Sequence, residues 1–237
     1  MNTADMHGDT PAGKLSIVAT PIGNLEDITL RALRTLAEAT VVFAEDTRVA
    51  AKLFSRHSIT TSVHRMDAEV EAKVAVEIVG RLQKGEHVAY ITDAGTPGIS
   101  DPGSRLVAHV RAELPEAVVE AIPGPSAITA LLSIAGIDST RFLFIGFLPH
   151  KKGRQTALKE IAAAHCPVVL YESPHRIVKL LQELIAHAPE AHVVLGRELT
   201  KMFEEVLGGT PAELLALLEA DPNHARGEFV VIVELAA

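Results

Sequence analysis

The chain of 237 residues is long for one compact α/β unit and comfortable for two, with 48% hydrophobic residues available to fill their cores. Aromatics are only 4% and Trp is absent, so Ala, Val, Leu and Ile build an interior suited to helices packed on a buried sheet and not to a β-sandwich. A net charge of −8 counts against a freely acting nucleic-acid binder, and a single cysteine, Cys166, excludes an internal disulfide and reads as a small buried hydrophobe.

Residues 1–14 carry small polar and acidic side chains with no apolar run, and are expected to be a flexible tail, neither signal peptide nor anchor. Residues 15–19 predict a strand ending in the tight turn TPIGN (20–24). Asp27 is placed to cap a helix whose Ile28, Leu33, Leu36 and Ala37 share one face. A second strand spans 41–44. Further on, Val70, Val74, Ile78 and Leu82 fall at helical spacing in a helix closed by Gly85. The strand 87–92 opens into a long Gly/Pro loop, 93–103, followed by a helix over 105–113, a strand over 118–122 and the loop PGPS (123–126). Strands that alternate with helices and end in Gly/Pro loops predict a parallel-rich sheet.

From Phe142 the texture changes. Strands are expected at 142–148, 168–171, 192–195 and 228–234, a short extended piece at Val206, and helices at 156–164, 175–187 and 211–219. The stretch 123–140 is the best boundary, crossed by a helix, giving α/β domains of residues 15–125 and 126–237. The longest apolar runs, near 127–137 and 142–148, fall short of the roughly 20 residues of a membrane span, so a cytoplasmic protein is expected.

Three loops, 20–27, 93–103 and 123–127, concentrate Gly, Pro, Ser, Thr and Asp at strand ends, where open α/β sheets bind ligands. Gly and Pro there let backbone approach a ligand in a fixed shape. There is no P-loop, no GxGxxG after the first strand, no HExxH or paired cysteine spacing, and no GxSxG elbow. The eleven histidines are scattered, so no metal is expected. What remains is a ligand held by backbone groups and a few polar side chains.

The strings VATPIGNLED (18–27), AEDTR (44–48), DAGTPGISDPG (93–103), IPGPSA (122–127), RFLFIGFLP (141–149), YESPHR (171–176) and RELTK (197–201), in this order, resemble the ribosomal-RNA-modifying branch of the tetrapyrrole methylase superfamily. The resemblance implies two α/β domains of the tetrapyrrole methylase type with S-adenosylmethionine in a cleft between them, and a homodimer. It also implies 2′-O-methylation of a cytidine in the decoding region of 16S rRNA, presented as RNA or as an assembled small subunit. Cofactor contacts are implied for Thr20, Pro21, Gly23, Asp93, Ala94, Gly95, Thr96, Pro97, Ser100, Pro123, Gly124, Ser126 and Ala127, with Phe147 and Ser173 from the second domain. The string HRMDAE (64–69) departs from the family's His/Asn/Glu-rich stretch, and members usually carry a further helical segment after the closing strand.

Methyl transfer to a hydroxyl needs the oxygen held in line and relieved of its proton, without a metal. Lys201, if burial keeps it neutral, leads the candidate acceptors, followed by Asp27 and Glu172; Glu45, Asp46 and Glu205 are further carboxylates. Arg48, Arg176 and Arg197 either bind phosphate or pair with Glu45, Glu172 and Glu198. The basic run HKKGR (150–154) supplies Lys151, Lys152 and Arg154, which with Arg176 are assigned to RNA phosphate; a solvated loop is the plain alternative. Such a local basic face acts at short range whatever the net charge, because salt screens the rest. Competing functions are a tetrapyrrole C-methyltransferase, whose first loop is usually richer in Gly than TPIGN, a diphthine-type methylase, and a ribosome-associated module without catalysis.

Overall fold

The computed structural model describes residues 13–221 and 223–235. The expected tail therefore lies outside the described residues up to position 12. Order begins before Leu15: Gly13 N–H donates to the Leu82 carbonyl at 2.7 Å, and Lys14 opens the first strand. The chain divides into two compact units, one up to Pro125 and one from Ser126.

The first unit is built on a wholly parallel sheet. Strands β1 (Lys14–Val18), β2 (Val41–Ala44), β3 (Val63–Arg65), β4 (His87–Ile91) and β5 (Val118–Ile122) lie in the order β3-β2-β4-β1-β5. The central strands are apolar on both faces because both are covered. Helices α1 (Leu30–Glu38) and α2 (Thr47–Arg56) set Ala32, Leu36, Ala50, Leu53 and Phe54 against Val18, Val42, Ala89 and Ile91. On the other face, α3 (Glu71–Leu82) and α4 (Ser104–Glu113) pack Val74, Ile78, Leu82, Leu106 and Val110 on Leu15, Phe43, Val88 and Tyr90. The neighbours β1 and β4 thus send their chains to opposite faces, into α1 and α4. That divergence is a topological switch point, where doubly wound sheets bind ligands.

Helix starts show how local chemistry sets these elements. Thr29, not Asp27, caps α1, its hydroxyl accepting from Ala32 N–H at 3.0 Å. Asp27 ends a 3-10 turn over Leu25–Asp27 that Asn24 caps. The helix α2, capped by Asp46, and the strand β3 were not expected from the sequence. At the head of α4, Gly103 has φ +125°, and a Cβ there would stand 2.8 Å from the Tyr90 ring. Without a side chain to cap the helix itself, Gly103 N–H and Leu106 N–H donate to the buried Glu71 carboxylate of α3 at 3.1 and 3.2 Å.

In the second unit, β6 (Leu143–Phe147), β7 (Val168–Glu172), β8 (His192–Arg197), β9 (Glu205–Gly209) and β10 (Phe229–Glu234) form a mixed sheet in the order β6-β7-β10-β8-β9. Here β6 runs parallel to β7, whereas β10 is antiparallel to β7 and β8, and β9 to β8. Helices α6 (Arg154–Ala162), α7 (Ile177–His187) and α8 (Pro211–Ala220) bury Leu158, Ile161, Leu180, Leu184, Leu214 and Leu218 on Leu170, Leu195 and Val231. From α5 (Ala127–Ile134), Leu131 lies so close to β8 that a Cβ on Gly196 would meet it at 2.7 Å. Cys166 is half-buried just before β7.

Removing the Glu71 carboxylate strands two amides at the head of α4. Glu71→Ala should cost about 1–3 kcal/mol in a urea titration without a change of slope; an unchanged midpoint would show that water replaces the acceptor.

Candidate functional site

The loops after β1 and β4 meet at the switch point. Thr20 and Gly95 exchange backbone hydrogen bonds, Thr20 N–H to the Gly95 carbonyl at 2.9 Å and Gly95 N–H to the Thr20 carbonyl at 3.1 Å. The buried Thr20 hydroxyl donates inward to the Thr92 carbonyl at 3.1 Å. Thr96 Oγ1 donates to the Pro125 carbonyl at 3.2 Å, tying in the loop after β5. Gly95 has φ +78°, and a Cβ there would meet Ile22 Cγ2 at 3.2 Å; a Cβ on Gly124 would meet that of Ala19 at 3.0 Å. Thr20, Pro21, Gly95, Thr96, Pro123 and Gly124 are therefore brought together, with Ala94 and Pro97 in the same loop. Gly23 and Ser100 sit exposed further along, Ser100 at φ +65°.

Carboxylates gather beside this rim. Asp46 N–H donates to Asp93 Oδ1 at 3.0 Å, joining the ends of β2 and β4. Burial, then the charge of Asp93, pushes Asp101 up to about 6. Glu45 is raised by burial and by Asp93 and Asp101, and Asp93 chiefly by the protein packed around it. Among the described residues Glu45 forms no ion pair, and no group of three His, Cys, Asp or Glu could hold a metal. Asp46 behaves oppositely, because hydrogen bonds from Arg48, with which it pairs at 2.6 Å, hold it well below the usual carboxylate range. Beneath lies the Tyr90 hydroxyl, buried and without a hydrogen-bond partner among the described residues, its ionisation opposed by burial and by Glu45, Glu71, Asp101 and Asp93. An apolar recess lined by Leu25, Ala44, Val49, Leu53 and Ile91 adjoins, with Thr20, Thr92 and Asp93 also lining it; the Thr92 hydroxyl is buried without a hydrogen-bond partner among the described residues. Sequence reasoning passed over Asp101. The signal was there, a second acid in the loop after a strand already followed by Asp93.

In the second unit, register places Glu172, Phe229, Arg197 and Glu205 side by side, so Phe147, Ser173 and Lys201 share one end of that sheet. Phe147 is exposed and packs against Tyr171 at a ring separation of 5.5 Å. Ser126 and Ala127 open α5, the Ser126 carbonyl accepting from Ala130 N–H at 2.9 Å.

Several expected roles change here. Lys201 Nζ lies 2.9 Å from Glu198 and 2.8 Å from Glu228. Burial opposes its charge, but the hydrogen bonds to Glu228 and Glu198 outweigh it and raise the pKa, so Lys201 is not the neutral amine a base requires. Glu172 is buried at the end of β7, accepting from Ser173 N–H at 2.8 Å and pairing with Arg176 at 3.2 Å, closed to a substrate. Arg154, expected to face RNA, is 3% exposed and pairs with Glu183 at 2.7 Å; its aliphatic stem is drawn inward at the start of α6. Arg176 likewise points inward, to Glu172 and the Leu148 carbonyl. Glu205 is engaged by Arg197 at 3.3 Å and His224 at 2.7 Å. Lys151 and Lys152 stay exposed, with no ion pair among the described residues. Asp27 is exposed as well.

The model of the tetrapyrrole (corrin/porphyrin) methylases matches residues 14–215. Of solved structures, that of the methyltransferase CobJ shares the fold, with a TM-score of 0.70 at 21% identity over 95% of each chain. The class is thus a methylase with this two-sheet architecture. At higher identity, the chain is 44% identical to ribosomal RNA small subunit methyltransferase I of Neisseria meningitidis serogroup B over 93% of this chain and 76% of that one. It is 43% identical to the protein of the same name from Borrelia garinii subsp. bavariensis, over 92% of this chain and 97% of the relative. The chain belongs to the tetrapyrrole methylase family, within its ribosomal RNA small subunit methyltransferase I group. Among the described residues no helix is long and apolar enough to cross a membrane.

Asp101 gives the site a pH signature. Its folded pKa of about 6 lies above the ordinary value of 3.8, so its contribution to stability is complete below about pH 4 and is lost as pH rises through 6. Melting temperatures across pH 4–7 should therefore decline less with rising pH in Asp101→Asn than in the parent; parallel curves would show that Asp101 titrates normally.

Proposed function

We propose that this protein transfers a methyl group from S-adenosylmethionine to a ribose hydroxyl of small-subunit ribosomal RNA, with a cytidine of the decoding region as the target. The observation that carries the reading is the backbone-lined rim at the switch point with unpaired carboxylates beside it. The names of the relatives supply the substrate.

S-adenosylmethionine carries a sulfonium and an ammonium group, and supplies an electrophilic methyl when bound. The residues fit it: Asp93 and Asp101, raised by burial and crowding, gain from a neighbouring cation, and Gly95, at φ +78° and packed close to Ile22, lets the three loops meet. The Thr20–Gly95 exchange fixes the backbone of the two loops against which the ligand would lie. Glu45 accepts the 2′-hydroxyl proton on its carboxylate, since it has no ion pair among the described residues and its raised pKa brings it closer to operating pH. Lys151 and Lys152 meet RNA phosphate without reading sequence.

The test is incubation with methyl-labelled S-adenosylmethionine and small subunits lacking the modification, followed by mass-spectrometric mapping. Label on the 2′-oxygen of a decoding-region cytidine is expected; its absence, with cofactor binding demonstrated, overturns the reading. Gly95→Val should abolish calorimetric cofactor binding while circular dichroism stays native, because a β-branched residue tolerates φ +78° poorly and would press on Ile22 and the Pro125 carbonyl, displacing the loops of the rim. Retained binding would remove this loop from the site. Cofactor affinity should also fall as pH drops through about 6, where Asp101 gains its proton, and Asp101→Asn should flatten that dependence.

A further inference from the structure

Lys151 and Lys152 stand at the tip of a loop whose stems are held by buried charge. At one stem the chain leaves β6, and the first two carbonyls beyond it are taken by arginines: Leu148 by Arg176, and Pro149 by Arg154 Nη1 at 3.4 Å. At the other stem Gly153 turns the chain with φ +90° into α6, and Arg154 N–H closes the loop on the Lys151 carbonyl at 3.3 Å. Arg154 is fixed from behind by Glu183, through Nε at 2.8 Å and Nη2 at 2.7 Å. Between the two arginines lies Glu172, 3.2 Å from Arg176 Nε and 3.8 Å from Arg154 Nη1, and Oε2 has no hydrogen-bond partner among the described residues.

Burying such ions is weak support for stability, since desolvation offsets most of their attraction and an apolar set of equal volume serves as well. Geometry is what the arrangement adds. Two planar guanidinium forks, Arg176 held by Glu172 and Arg154 held by Glu183 with Glu172 further off, take the carbonyls of Leu148 and Pro149 and leave the His150, Lys151 and Lys152 side chains exposed. A loop already held in its binding shape loses less entropy when it meets a ligand.

We infer that Glu172, through Arg154 and Arg176, is a positioning residue that presents Lys151 and Lys152 to RNA phosphate. It does not touch substrate or cofactor. The inference rests on the proposed reading of the 150–153 loop as an RNA contact, and the experiment separates the two.

Binding of the full chain to deproteinised small-subunit ribosomal RNA is measured by filter retention across a salt series, for the parent, Lys151→Ala/Lys152→Ala, Glu172→Gln and the triple variant. Each lost phosphate contact lowers the slope of log affinity against log salt by about 0.7–0.9. The double-lysine variant should lose about 1.4–1.8 from that slope. Glu172→Gln should lose at least about half as much, and should add nothing in the double-lysine background. Calorimetric affinity for S-adenosylmethionine should be unchanged, and Glu172→Asp should restore part of the slope. A parent-like slope in Glu172→Gln, or losses that add in the triple variant, overturns the positioning role and spares the RNA loop. A parent-like slope in the double-lysine variant overturns the RNA loop itself. If Glu172→Gln does not fold, Arg154→Lys carries the test, keeping the charge and losing the fork; failure of both to fold shows a structural role alone and also overturns the inference.

Discussion

Two backbone hydrogen bonds between Thr20 and Gly95 decide where this fold can act. The strands β1 and β4 are neighbours whose chains leave for opposite faces of the sheet, and without a tie their exits would diverge freely. The exchange closes the gap and sets the order of everything around it. Gly95 must take φ +78° to reach Thr20. The Thr20 side chain turns inward to the Thr92 carbonyl, and Thr96 fastens the exit of β5 through Pro125. A rim built this way presents main-chain groups, and the sheet itself, more than any rotamer, defines its shape.

The charge distribution follows from the same topology. Two strand exits carrying acids, those of β2 and β4, converge in the first unit, so Glu45, Asp93 and Asp101 are crowded together with few countercharges. Like charges this close raise one another's pKa and leave the native state with an unmet demand for a cation. The second unit does the reverse, spending four of its charges on one another in the interior and exposing two lysines. A net charge of −8 is thus no argument against RNA, because each cluster acts over roughly one screening length.

What could be read from the sequence was whatever one segment could declare alone. The helix α3 shows a full apolar stripe over twelve residues, and the strands β2 and β4 are apolar runs ended by loop residues. By contrast α2 buries only Ala50, Leu53 and Phe54 behind a motif that reads as chemistry, and β3 is three residues with two exposed, too short to show alternation. Asp27 and Thr29 are both sound caps in isolation; only the geometry of the 3-10 turn decides for Thr29. Partner choice was illegible for a deeper reason. Arg154 reads as the last cation of a surface run, and nothing local reveals that Glu183, nearly thirty positions along, waits on the facing helix. The rim loops were legible because Gly and Pro announce backbone constraint, whereas the acids declare themselves only when strand order brings them together.

The same asymmetry bears on the proton acceptor in the proposed chemistry. The RELTK turn holds Glu198 at φ +49° and Thr200 at φ +67°, sparsely populated for side-chain-bearing residues, and is stitched to Glu228 through Lys201 and through Glu198. A lysine between two carboxylates keeps its proton, so this turn braces the end of β8 and supplies no base. Glu45 has acids and not cations for neighbours: burial, Asp93 and Asp101 raise its pKa, and it has no ion pair among the described residues. In the chemistry proposed above, burial and crowding therefore favour a carboxylate at the strand exits of the first unit over Lys201 as the acceptor.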